Sequence, residues 1–221
     1  MNSFLELTAS DNHKFSAYLA QPLEKPKAGL VILQEIFGVN THIQEVTDLF
    51  SKKGYLAIAP SLFDRVEKKV ELSYDETGVL KGRKMKDLCD NEALKDIEAS
   101  ISLVSSAGKV GVIGYCWGGS LAWRIACQPN QLSGSVSYYG GDIPNLKHYN
   151  PKCSFLSHFG ELDQGIPIEN VNIFKQFKPE VEVFTYPADH GFNCNHRKQY
   201  NKTIAKIALD RTLKFFEKNL G

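Results

Sequence analysis

The sequence predicts an α/β fold: a mainly parallel, twisted sheet with helices on both faces, entered through an N-terminal antiparallel hairpin. Three observations predict it. Short continuous apolar runs, the mark of strands buried on both faces, recur along the chain. Stretches of helical period lie between them, and this alternation is the pattern of a parallel sheet covered by helices. At the start, two alternating segments flank a polar turn.

Taken in order, residues 4–7 and 14–19 alternate apolar and polar side chains around Ser10-Asp11-Asn12-His13, which reads as a hairpin. After Pro22 and Pro26 comes the apolar run 29–33, and runs of the same kind recur at 55–59, 110–113, 134–138, 155–159 and 181–186. Helical period is present over 42–53, 91–105, 119–127, 167–177 and 202–219. Residues 60–91 break the rhythm. They are charged, weakly periodic and longer than an ordinary connection, so an excursion carrying a short helix is expected, placed over a site at the carboxyl ends of the strands. No repeat or linker divides residues 1–221, which read as one domain.

Composition narrows the function. The 221 residues are 43% hydrophobic and 23% charged, enough apolar material for a core of their own. Lys and Arg number 26 against 25 Asp and Glu, so no long-range field gathers nucleic acid or an anionic membrane. The opening residues lack the basic and apolar regions of a secretory leader, and no apolar stretch approaches the length of a membrane span; a cytoplasmic protein is expected. Five cysteines (Cys89, Cys116, Cys127, Cys153, Cys194) are odd in number and irregularly spaced, fitting neither a disulfide framework nor a C-x-x-C zinc site. Most are expected to be reduced and buried.

One cysteine stands in a different context. The strand at 110–113 runs into Gly114-Tyr115-Cys116-Trp117-Gly118-Gly119 and then a helix. This is the strand, sharp turn and helix of a nucleophile elbow, with cysteine where serine is usual. Side chains at Gly114 and Gly118 are expected to collide with the neighbouring strand and helix, and the thiol to stand at a helix N-terminus, where free N–H groups favour a thiolate and a developing oxyanion. Such a nucleophile needs a base and a group to orient it, arranged along α/β-hydrolase chains as nucleophile, acid, histidine. Asp163 lies in Gly160-Glu161-Leu162-Asp163 after one strand, and His190 lies in the loop Pro187-Ala188-Asp189-His190-Gly191-Phe192 after the next. His13 in the hairpin, His42 near a helix start and His158 within a strand suit ordinary roles better; His148 and His196 complete the candidate bases.

These residues resemble the dienelactone hydrolases, α/β-hydrolases with a cysteine nucleophile. The resemblance spans nearly the whole chain. It rests on Gln34-Glu35-Ile36-Phe37-Gly38-Val39-Asn40, on the elbow, on Gly160-Glu161-Leu162-Asp163 and on His190-Gly191-Phe192. It implies Cys116 as nucleophile, His190 as base, Asp163 as its orienting acid, and the Ile36 and Trp117 backbone N–H groups as the oxyanion hole. It also implies a buried Glu35 beside the thiol. A carboxylate in an apolar pocket has a raised pKa and exchanges a proton with a nearby thiol, so the thiolate forms on demand. The implied substrate is a small ester or lactone, hydrolysed through a thioester without metal or organic cofactor. The best-known members hold a substrate carboxylate with arginines, one of them four residues past the triad histidine. Here that position is Cys194, with Arg197 nearby, while the excursion carries Arg65 and Arg83; Arg83 and Arg197 are the candidate substrate-binding residues. The alternatives are a non-catalytic small-molecule binder or sensor on the same scaffold, and a redox-sensing Cys116 paired with Cys194.

Overall fold

The computed structural model describes residues 2–221. Eight strands form a single sheet in the order β1-β2-β4-β3-β5-β6-β7-β8. β1 (Ser3–Thr8) and β2 (Lys14–Ala20) make the expected antiparallel hairpin, and β2 also pairs antiparallel with β4 (Tyr55–Pro60). From there to the far edge, β3 (Ala28–Leu33), β5 (Val110–Tyr115), β6 (Leu132–Tyr138), β7 (Ser154–Gly160) and β8 (Glu182–Tyr186) run parallel. Every expected strand forms, most of them a residue or two longer than the apolar run that announced it.

β3 shows why these strands read as continuous apolar runs. Leu30 and Ile32 point into one hydrophobic cluster, which they share with Phe50 of α1 (Thr41–Lys52) and Phe215 and Phe216 of α6 (Lys202–Leu220). Val31 and Leu33 point into a second, shared with Ile97 and Ile101 of α3 (Ala93–Val104) and Leu121 and Ile125 of α4 (Trp117–Ala126). A strand whose side chains alternate between two dry faces has no polar position to spare. α5 (Ile168–Phe177) closes the far end, with Phe174 against the Trp123 ring at 5.3 Å.

The excursion holds more helix than expected. After a 3-10 turn at Leu62–Arg65, α2 spans Glu76–Cys89, capped by the Asp75 side chain, which accepts from the Gly78 N–H at 2.8 Å. Its fourteen residues bury only Gly78, Gly82, Met85 and Cys89, two of them without a side chain, and this is why its hydrophobic period is faint. α4 also departs from expectation. It begins at Trp117, directly after the cysteine, rather than two residues later.

Arg65 is structural. Its guanidinium meets the fully buried Asp96 of α3 at 2.7 Å and Asp11 of the hairpin turn at 3.0 Å. Burial drives the Asp96 carboxyl up to about 6 against the opposing pull of Arg65. Removing one partner of a buried pair strands the other charge, so Arg65→Ala is expected to cost about 3–5 kcal/mol of unfolding free energy. The sign with pH follows from a raised carboxyl: the loss is largest at neutral pH and shrinks as pH falls through about 6, where Asp96 takes up a proton. Denaturant melts of both proteins across that range check both statements.

Candidate active site

Cys116 follows β5 and caps α4 with φ +56° and ψ −115°, backbone that an L residue rarely adopts. Its N–H donates to the Tyr138 carbonyl at 2.9 Å, anchoring the turn to the neighbouring strand. A side chain at Gly114 would run into the Gly118 carbonyl, and one at Gly118 into the Leu33 and Gln34 carbonyls; both collisions are those the sequence led us to expect. The Gly118 N–H in turn donates to Gln34 O at 3.0 Å, tying the elbow to the segment that carries Glu35 and Ile36. The amides of Ile36 and Trp117 have no acceptor among the described residues, and both residues line the same cleft as Cys116.

His190 and Asp163 come together from separate loops. His190 Nδ1 and Asp163 Oδ2 are 2.6 Å apart, while Asp163 Oδ1 accepts from the Gly165 N–H at 2.8 Å, and the Asp163 side chain is almost fully buried. The Tyr139 ring lies against the imidazole, centroids 4.9 Å apart. Burial by itself lowers the His190 pKa. The adjacent Cys116 charge and the hydrogen bond to Asp163 overcome it, and the imidazole is held up to about 10.

The other histidines are elsewhere. His158 is buried between Tyr186 and Thr212 and driven down to about 3 by burial, and His148 packs on Phe177. His13 stacks on Phe15, and His196 meets Glu45 at the surface.

Cys116, Asp163, His190, Ile36 and Trp117 all line one cleft of about 430 Å³, together with Arg83 and Lys86 of α2, Asp142, Asp189 and Arg197. The excursion contributes Val79, Arg83 and Lys86 of α2 to the lining of this cleft. Its end is pinned to the elbow: Trp117 Nε1 donates to Asp90 Oδ1 at 2.6 Å, Asp90 also binds Arg124 at 2.6 Å, and Phe63 stacks on the Trp117 indole.

Two expectations need correction. Glu35 is buried as expected, but its surroundings are polar rather than apolar: Arg197 Nη1 donates to its Oε1 at 3.2 Å. Arg197 lines the cleft and Glu35 does not. Cys194 is buried with its thiol donating to Tyr74 Oη at 3.4 Å, and all five cysteines are free. Cys127 and Cys153, by contrast, are only partly buried, because they sit where α4 ends and β7 begins, at the rim of the core. One grouping escaped the sequence altogether: ligand atoms of Glu35, His42 and Cys194, all buried, lie within 4.8 Å of one another.

A doubly covered parallel sheet with a strained cysteine between β5 and α4, and an Asp–His pair on the loops after β7 and β8, is an α/β-hydrolase with a cysteine at its elbow. Within that class, the sequence pattern of the dienelactone hydrolase family matches residues 15–220, and the chain belongs to this family. It is similar to a Synechocystis protein named "Putative carboxymethylenebutenolidase", 34% identical over 96% of this chain and 94% of the relative. It is also similar to the carboxymethylenebutenolidase of Pseudomonas putida, 31% identical over 96% of this chain and 94% of that one. Among solved structures, a Klebsiella pneumoniae protein described as a "Putative Dienelactone Hydrolase" superimposes with a TM-score of 0.84 at 27% identity, over 98% of this chain and 99% of the other. No helix among the described residues is long and apolar enough to cross a membrane.

The imidazole of His190 provides a direct check on the site's electrostatics. Its titration, followed by NMR, is expected near pH 10, and to move down in both Cys116→Ala and Asp163→Asn, each of which removes a negative neighbour. A raised base stabilises the fold below its unfolded pKa of 6.5 and loses that contribution as pH climbs through about 10, so the alkaline limb of a stability–pH curve is expected to flatten in Cys116→Ala.

Proposed function

We propose that this chain hydrolyses small esters or lactones through a Cys116–His190–Asp163 triad. The observation that carries the reading is the 2.6 Å His190–Asp163 pair in the same cleft as a cysteine held at positive φ. Asp163 fixes the tautomer: with Nδ1–H committed to its carboxylate, Nε2 is the atom that exchanges protons with Cys116. The thiolate attacks the carbonyl carbon, and the Ile36 and Trp117 N–H groups receive the oxyanion. Collapse of the tetrahedral adduct expels the alcohol, which takes its proton from the imidazolium and leaves a thioester on Cys116. Water, deprotonated by His190, then attacks the thioester and releases the acid and the thiol.

Glu35 acts at one remove from the cleft. Its carboxylate is a second acceptor for the thiol proton once substrate has loosened the hold of Arg197 on one of its oxygens. A substrate anion that engaged Arg197 would weaken that hold. Lys86 on α2 faces Asp142 at 3.8 Å, which leaves Arg83 and Arg197 as the cleft's cations for a substrate bearing a carboxylate beside its ester or lactone.

With an aryl ester as substrate, Cys116→Ala is expected to lower kcat by roughly 10⁴-fold or more and Asp163→Asn by about 10⁴-fold. Quenched wild-type reactions are expected to show the acyl mass on the peptide containing Cys116. An unimpaired Cys116→Ala enzyme, or an acyl group on another residue, would overturn the assignment.

A further inference from the structure

We propose that Glu35, His42 and Cys194 form a binding site for a borderline-soft divalent cation of the zinc class. The three side chains come from three separate segments, and their ligand atoms lie within 4.8 Å of one another in a buried position. Two of these residues carry polar atoms that nothing in the protein satisfies. Glu35 Oε2 and His42 Nε2 are both buried without a hydrogen-bond partner, on residues only 1% and 3% exposed. Such atoms are costly to leave unpaired, and few native proteins tolerate two in one place without a reason.

The remaining atoms of the same residues are committed in the way metal sites require. Asn195 Oδ1 lies 3.2 Å from His42 Nδ1; as an acceptor it takes the Nδ1 proton and leaves the Nε2 lone pair as the ligand. Arg197 holds Glu35 Oε1, so Oε2 is the oxygen left over. Cys194 supplies sulfur. Binding releases the Cys194 proton to solvent as the sulfur–metal bond forms.

The donor set chooses the ion. One thiolate, one imidazole and one carboxylate suit zinc and its neighbours and exclude magnesium and calcium, which take oxygen. Thiolate and carboxylate oppose the double positive charge, with the Arg197 guanidinium at Glu35 Oε1 offsetting part of it. Tetrahedral zinc places its ligand atoms about 3.3–3.8 Å apart, so side-chain shifts of at most about 1 Å close the cluster. Sequence spacing hides this grouping, because the three residues are 7 and 152 positions apart along the chain.

Cobalt(II) titrated into the untagged, metal-free protein tests the site. A thiolate-to-cobalt charge-transfer band with tetrahedral visible bands, saturating at one cobalt per chain, is expected in the wild type and in Cys116→Ala. The band is expected to vanish in Cys194→Ser and in His42→Gln, each with the unfolding midpoint of the wild type in chelator. The proposal fails if the wild type gives no band, if the band survives in a folded Cys194→Ser, or if it disappears in Cys116→Ala, which would make the nucleophile the ligand.

Discussion

The backbone of Cys116 is the constraint on which the rest of the site depends. An L residue at φ +56° is strained, and the strain persists only because the surroundings leave no alternative. Leu33 and Gln34 close against Gly118 on one side, and β6 takes the Cys116 N–H on the other. The same closure brings Ile36 beside Trp117, since the hydrogen bond from Gly118 to Gln34 joins the two loops. Cys116 and the residues proposed as oxyanion donors are thus positioned by one packing event.

Charge in the cleft is arranged locally, as a chain with net charge +1 requires. Asp163 holds His190, and His190 faces Cys116. Arg197 pairs with Glu35, its guanidinium also resting near the Phe37 and Tyr74 rings, which limit where it can go. Arg65, which shared the excursion with Arg83 as an apparent equal in the sequence, is withdrawn into a buried pair with Asp96. Two arginines of similar context therefore have different fates, decided by which of them meets a buried carboxylate.

The sheet and the elbow were legible in the sequence because each is written in contiguous residues. A strand buried on both faces is an uninterrupted apolar run, and G-x-C-x-G between strand and helix has few other physical uses. Asp163 and His190 were legible for a weaker reason, their order and their place in short loops after strands. What the sequence could not carry was long-range pairing. Nothing local to Glu35 announces Arg197, 162 residues away, and nothing local to His42 announces Cys194. α2 was understated because a helix that buries two glycines, one methionine and one cysteine writes almost no hydrophobic period.

Glu35 is where the two halves of the site meet. A carboxylate has two oxygens, and here Oε1 faces Arg197 while Oε2 has no partner in the protein. A proton arriving from the thiol needs a free oxygen, and so does a cation; both claims fall on Oε2. They are mutually exclusive, because a metal-bound carboxylate oxygen is no longer a base of useful strength. Arg197 holds only Oε1, so it leaves that contest to Oε2.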